Sequence, residues 1–313
     1  MMDRRTNGEG RRATAERAAK IYEGVLSRDV LRGLGIDRHG VRSELRAKRW
    51  KAHGRQTIAV HTGELSEQAL WWRAVWEVGH RIAALDGATA LTAAGLKGFT
   101  TGALEVSVPH GSRPPPVADV RQRTVIARQS AEVISVGVPR VRPAIAALRA
   151  ASWAVSDRQA ALVLCMVVQQ RLVTPRQLDD VVAEVALLRR RTFIVRVIAD
   201  LLDGAQALGE LDFAALCRAH GLPEPSRQVV RTTSTGRIYL DVAWEDIGLV
   251  VEIDGAQHRQ GLAVTDDNLR QNEVVIGDEK MLRIDLVGMR LIAEPFMEQV
   301  CRAHHQLSAR RAG

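Results

Sequence analysis

Cysteine and aromatic residues are scarce in this chain. Its three cysteines, Cys165, Cys217 and Cys301, lie far apart with no Cys-x-x-Cys spacing, so neither a disulfide framework nor a zinc site is expected, and the thiols read as reduced and buried. Aromatic residues make up 4% of the sequence. Long apolar runs are missing too: no uninterrupted stretch approaches the roughly 18 residues that a membrane helix needs. The opening segment, MMDRRTNGEGRRATAER, is charged and has no apolar centre of the signal-peptide kind. These absences point to a cytoplasmic protein with no membrane partner. The remainder is ordinary for a globular chain, with 46% hydrophobic and 26% charged residues. A length of 313 residues and a mass of 34.4 kDa allow two or three domains with ample core.

Charge is unevenly placed. Residues 1–55 hold fifteen Lys or Arg against seven Asp or Glu, an excess equal to the formal net charge of +8 for the whole chain. A basic excess confined to one end suits a polyanion-binding module, although basic arms also serve as solubilising tails. Residues 1–14 are expected to be disordered, and Ala15 to Tyr22 to form a short helix. Next, Ser27 reads as an N-cap for a helix over Arg28 to Leu34, stopped by Gly35, and Asp37 as the cap of a second helix from Arg38 to Lys48. Val41 and Leu45 would face inward on that second helix. Arg38, Arg42, Arg46 and Lys48 would form a basic outer face for phosphates and a major groove. Trp50 to Val60 would complete a wing. The segment resembles the winged helix-turn-helix at the start of AbiEi-type antitoxins, which implies DNA as its partner.

The middle of the chain carries no chemical motif. Residues 65–98 read as helical, with Trp71, Trp72 and Trp76 as core. ALEVSVPHG and RTVIARQS alternate as strands, separated by a turn or linker at SRPPP, Ser112 to Pro116. From Arg142 to about Leu202 the pattern is mostly helical, with caps at Ser156 and Thr174 and Pro175 at a first helical position. The triplet Arg189, Arg190, Arg191 reads as a basic helix end beside the negative pole of its dipole.

The chemically informative stretch is RIYLDVAWEDIGLVVEIDGAQ, Arg237 to Gln257. Alternate residues of a strand share a face, so Ile238, Leu240, Val242 and Trp244 form one row, with Tyr239, Asp241 and Ala243 opposite. The second strand splits into Leu249, Val251 and Ile253 against Val250, Glu252 and Asp254. If Glu245 to Gly248 form the loop of a hairpin, Trp244 faces Leu249, Leu240 faces Ile253, and Asp241 sits opposite Glu252. Cross-strand partners lie roughly 5 Å apart. Two carboxylates that close repel unless a cation or a proton intervenes, and a hard dication with bound water is the economical answer.

At these residues the sequence resembles the PD-(D/E)XK, or restriction-endonuclease-like, nuclease superfamily. The longer pattern YLDVAW, VVEIDGAQH, DDNLRQN and LRIDL is similar, more narrowly, to very-short-patch-repair endonucleases, over roughly residues 207–308. The resemblance implies an α/β domain with Asp241 and Glu252 as principal ligands of Mg²⁺ or Mn²⁺, and Glu210, on an opening helix, as a further acid. Where the superfamily pattern has a lysine, two residues after the second acid, this chain has Asp254, a further candidate ligand. Gln257 or His258 would position water, and Arg270, on an expected helix from Asp266 to about Ile276, would contact phosphate. A third strand with Leu282, Ile284 and Leu286 inward and a last helix from Phe296 to Leu307 complete the domain.

The expected architecture is therefore α+β: a disordered tail (1–14), a winged helix-turn-helix (15–63), a mainly helical connecting domain with a small β element (64–205) and a restriction-endonuclease-like α/β domain (206–313). The expected function is metal-dependent hydrolysis of DNA. The alternative is a DNA-binding regulator or antitoxin-like protein whose nuclease fold has lost catalysis. DNA repair, phage defence and regulation stay open as settings, as do a toxin partner and the oligomeric state.

Overall fold

The computed structural model describes residues 4–202, 213–232, 238–254, 281–285, 288–289 and 293–312. They form an α+β protein whose chain divides into two units, Met1–Ala146 and Ala147–Gly313.

The first unit opens with a helix, α1 (Arg4–Ala19). The expectation of a disordered tail over 1–14 is corrected from Arg4 onward. Ala15 and Ala19, in the part already expected to be helical, are buried, and Arg11 reaches a carboxylate of a later helix. After a 3₁₀ turn come β1 (Val25–Ser27), α2 (Arg28–Gly33), α3 (Arg38–Arg46), β2 (Lys51–Ala52) and β3 (Thr57–Ala59). Ser27 caps α2 by accepting from Val30 N at 3.1 Å, and Asp37 caps α3 by accepting from Gly40 N at 2.7 Å. Gly35, at φ 75°, closes α2 in a left-handed turn: Gly35 N donates to Arg32 O and Ile36 N to Leu31 O. The three strands pair antiparallel in the order β1-β3-β2. Leu26, Leu31, Ile36, Val41, Trp50 and Ile58 fill the space under helices and sheet. This is a helix-turn-helix followed by a short two-stranded wing.

The same unit continues with α4 (Glu67–Gly79), β4 (Ala84–Leu85), α5 (Gly87–Ala93), β5 (Leu104–Pro109), β6 (Val120–Val125), β7 (Val133–Ile134) and β8 (Arg140–Val141). Trp72 and Trp76 are core, as expected, and pack on Tyr22 with ring centroids 4.9 and 5.5 Å away. The expected strand segments contribute to a five-stranded mixed sheet, β6-β5-β4-β8-β7, but the second is displaced: β6 is Val120–Val125, so it holds only Arg123–Val125 of RTVIARQS, and Ala127 at φ 54° lies beyond its end. Strands β5 and β6 run parallel, so the proline-rich segment between them is a crossover rather than a hairpin turn. Strands β4, β7 and β8 are two residues each, too short to show alternation.

Helix α6 (Pro143–Trp153) runs across the division at Ala146. In the second unit follow α7 (Asp157–Gln169), α8 (Pro175–Val182) and α9 (Arg191–Leu202), with α9 against both α7 and α8. Ser156 caps α7, and Thr174 with Gln177 forms a capping box on α8 behind Pro175. The arginine triplet does not end a helix. Helix α8 stops at Val182, Leu187 and Arg190 have φ of 50° and 58°, and Arg191 opens α9. Arg190 Nε instead donates to Asp157 Oδ1 at 2.6 Å.

Beyond them lie α10 (Phe213–Ala219), β9 (Arg227–Thr232), β10 (Ile238–Trp244), β11 (Leu249–Asp254), β12 (Met281–Asp285) and α11 (Ala293–Ala312). The sheet order is β12-β11-β10-β9. Strands β9, β10 and β11 form an antiparallel meander, and β12 lies parallel to β11. Leu240, Val242, Trp244, Leu249, Val251, Ile253, Leu282 and Ile284 form the buried side of the sheet, packed with Phe213, Cys217, Phe296, Met297 and Val300 of the two helices. Strand β9 has no counterpart in the sequence reading. Its Val229 and Val230 are both partly exposed, because an edge strand lacks the clean alternation of a half-buried one.

Candidate functional site

The acids of the hairpin are positioned by its register. Trp244 pairs with Leu249, Leu240 with Ile253, and Asp241 with Glu252, around a turn over Glu245–Gly248 in which Gly248 takes φ 66°. This is the expected pairing at every position. With the apolar rows of both strands in the core, Asp241 and Glu252 share the other face at adjacent positions. Asp241 is 7% exposed and the Glu252 side chain 19%, so both carboxylates are largely withdrawn from water.

The sequence reading missed a third member of this face. Strand β12 aligns Arg283 with Glu252, and Arg283 Nε lies 3.6 Å from Glu252 Oε2, an ion pair beyond hydrogen-bond length. The signal was present in LRIDL: with Leu282 and Ile284 directed inward, Arg283 falls on the face of the acids.

Asp254 ends β11 opposite Tyr239 and level with Asp285; only its backbone is described. Glu210, Gln257, His258 and Arg270 lie outside the described residues. Among the described residues no group of three or more His, Cys, Asp or Glu is placed to hold a metal. The pair itself still fits a hard dication such as Mg²⁺, which binds through one or two carboxylates and keeps several waters.

The second candidate surface is α3. Arg38, Arg42 and Arg46 recur every four residues and are exposed along one stripe. Lys48 is not on the helix. Ala47 is the C-cap, Lys48 takes φ 52°, and Arg49 N returns to Glu44 O at 3.1 Å, which closes the helix before Lys48. Lys48 is exposed next to the stripe, in the turn that leads to the wing.

Glu44, the one acid within α3, is fully buried and faces inward. Arg11 Nη2 donates to its Oε1 at 2.7 Å and Arg49 Nε to its Oε2 at 2.6 Å. The exposed face of α3 thus keeps its positive charge undiluted. Lys51 and Arg55 on the wing are exposed as well, and Arg28 Nε holds the wing by donating to Arg55 O at 2.7 Å.

Glu77 of α4 braces the wing from behind. Its carboxylate accepts from Arg55 N, Gln56 N and Thr57 N at 2.8, 2.9 and 2.8 Å, and from Thr57 Oγ1 at 2.8 Å. Gly54, at φ 150°, lies so close that a Cβ there would overlap the Glu77 carboxylate. Among the described residues no helix is long and apolar enough to cross a membrane.

No family model matches the chain, and no curated protein matches it. Among solved structures, it is similar to the RV2827C protein from Mycobacterium tuberculosis at 18% identity and a TM-score of 0.37, over 60% of this chain and 74% of that one.

Proposed function

We propose that this is a cytoplasmic DNA-acting protein. Its winged helix grips duplex DNA through α3, and its C-terminal domain hydrolyses a phosphodiester with Mg²⁺ or Mn²⁺ held by Asp241 and Glu252. The observation that carries the reading is the placement of two largely buried carboxylates at adjacent positions of neighbouring strands. Such a pair is suited to a hard dication, which binds through one or two carboxylates and keeps several waters. A bound dication would polarise the scissile phosphate and lower the pKa of an attacking water. Glu210 would act as a further acid, as the resemblance to restriction-endonuclease-like nucleases implies; Asp254, which departs from that pattern, would be another, His258 or Gln257 would orient water, and Arg270 would contact phosphate. On α3, Arg38, Arg42 and Arg46, with Lys48 beside them, would bind the DNA backbone and base edges.

The test is incubation of the purified protein with supercoiled plasmid and with mismatched or branched duplexes, in Mg²⁺ or Mn²⁺, beside Asp241→Ala and Glu252→Gln. Nicking is expected from the wild type and from neither variant. A wild type that nicks nothing with either ion would sink the catalytic reading. A second reading, a DNA-binding regulator or antitoxin-like protein with a nuclease-derived fold, is favoured by Asp254 at the lysine position and by the Arg283–Glu252 ion pair, which offsets one acid without metal. It predicts tight DNA binding with no cleavage.

A further inference from the structure

Asp241, Glu252 and Arg283 stand at one level of the sheet, on three successive strands. Their neighbours along each strand, Leu240 and Val242, Val251 and Ile253, Leu282 and Ile284, are buried on the opposite side. The three charged residues therefore form a single row across the other face. Burial decreases along it: Asp241 is enclosed, Glu252 is partly covered, and the Arg283 side chain is 53% exposed.

We propose that Arg283 is the phosphate-binding cation of the site. It pairs with Glu252 while no dication is bound, and it turns to a non-bridging oxygen of the DNA phosphate when the dication takes Glu252. This inference rests on the metal-nuclease reading above. Position 254, where that reading would look for a cation, holds an acid, so the positive charge has to come from a neighbouring element. Strand β12 supplies it at the level of Glu252. A guanidinium is suited to the task because its planar fork donates two parallel hydrogen bonds to phosphate oxygens. It cannot lie against the Glu252 carboxylate together with a dication without mutual repulsion, so the metal and Arg283 compete for Glu252.

Competition and phosphate binding leave opposite marks on one variant. Arg283→Gln and Arg283→Lys are compared with the full-length wild type in two measurements: the rise in thermal midpoint against Mn²⁺ concentration, which reports metal affinity, and plasmid nicking at saturating Mn²⁺. Arg283→Gln is expected to bind Mn²⁺ roughly tenfold more tightly, the effect of removing a competing charge, and to nick about 100-fold more slowly, as when an active site loses one charge-stabilising donor. Arg283→Lys should lie nearer the wild type in both, and it decides the matter if the Gln variant does not fold. Nicking by Arg283→Gln at the wild-type rate would make the residue a cross-strand ion pair only. Unchanged or weaker Mn²⁺ binding would overturn the competition. Either result leaves wild-type nicking and its Mn²⁺ response intact, whereas a wild type lacking both would overturn the metal-nuclease reading and this inference with it.

Discussion

Arg11 Nη2 lies 2.7 Å from Glu44 Oε1, and this contact joins the first helix of the chain to the helix with the basic face. With Arg49 on the other oxygen, each carboxylate oxygen of the buried Glu44 has its own guanidinium. Burial pushes the Glu44 pKa up, but the hydrogen bonds from Arg49 and Arg11 outweigh it and hold the group below its ordinary value of 4.5. A carboxyl depressed on folding contributes stability above its unfolded pKa, and that contribution is lost as pH falls through the folded value. Glu44→Gln is expected to cost about 3 kcal/mol at neutral pH by leaving two guanidinium groups against an uncharged partner. The loss should shrink toward pH 3. Urea unfolding at both pH values measures it, and an equal midpoint for variant and wild type at pH 7 would refute the clasp.

Glu77 performs for the wing what Glu44 performs for the helix, with backbone donors in place of arginines. Four donors from residues 55–57 converge on its carboxylate, and Thr57 is completely buried. Glu77→Ala strands those donors at an expected cost of about 2 kcal/mol. Amide hydrogen exchange at Arg55, Gln56 and Thr57 should accelerate more than elsewhere in the first unit. Protection that persists at these three amides would show that the wing holds its shape without Glu77.

The parts of this protein that could be read from sequence are those with a local signal. Ser27, Asp37, Ser156 and Thr174 each cap the helix assigned to them, because a capping side chain bonds to amides two or three residues away. The hairpin register followed from alternation and a four-residue turn, and it alone set Asp241 against Glu252. The features missed depend on distant partners. Helix α1 extends back to Arg4, and Arg11 on it meets Glu44, 33 positions further on. The two-residue strands are defined only by their pairing: β4 with β5 and β8, and β8 in turn with β7. The alternation in LRIDL puts Arg283 on the face opposite Leu282 and Ile284, but its level beside Glu252 comes from a parallel pairing with β11 that is not local.

If α3 grips the DNA backbone, affinity must fall steeply with salt, since each neutralised phosphate releases condensed counterions. Substituting both Arg42 and Arg46, exposed on the stripe, with alanine should flatten the plot of log K against log salt by about 2 units of slope. Fold should be unaffected, because neither side chain enters the core. Fluorescence anisotropy with a duplex oligonucleotide from about 50 to about 300 mM KCl, roughly threefold below to twofold above 0.15 M, reads the slope directly. Equal slopes for variant and wild type would move the DNA contact to another surface.

His220, just after α10, links that helix to α11. Its Nδ1 faces Leu216 O at 2.9 Å and its Nε2 faces Glu294 Oε2 at 3.2 Å. Both ring nitrogens thus meet acceptors, an arrangement that only the imidazolium satisfies with two donors. The Leu216 carbonyl contributes most, followed by Glu294, and together they raise the pKa above its usual value of 6.5. For a base whose folded pKa is raised, the stabilising contribution is complete below the unfolded value and disappears as pH rises through the folded one. Glu294→Gln keeps the side chain's size and removes its charge, so it should lower the thermal midpoint at pH 5.5 and hardly change it at pH 8.5. The difference between variant and wild type, followed across that interval, should therefore shrink with rising pH. A difference that stays constant would mean that Glu294 acts through packing or through the start of α11, and that His220 takes no part.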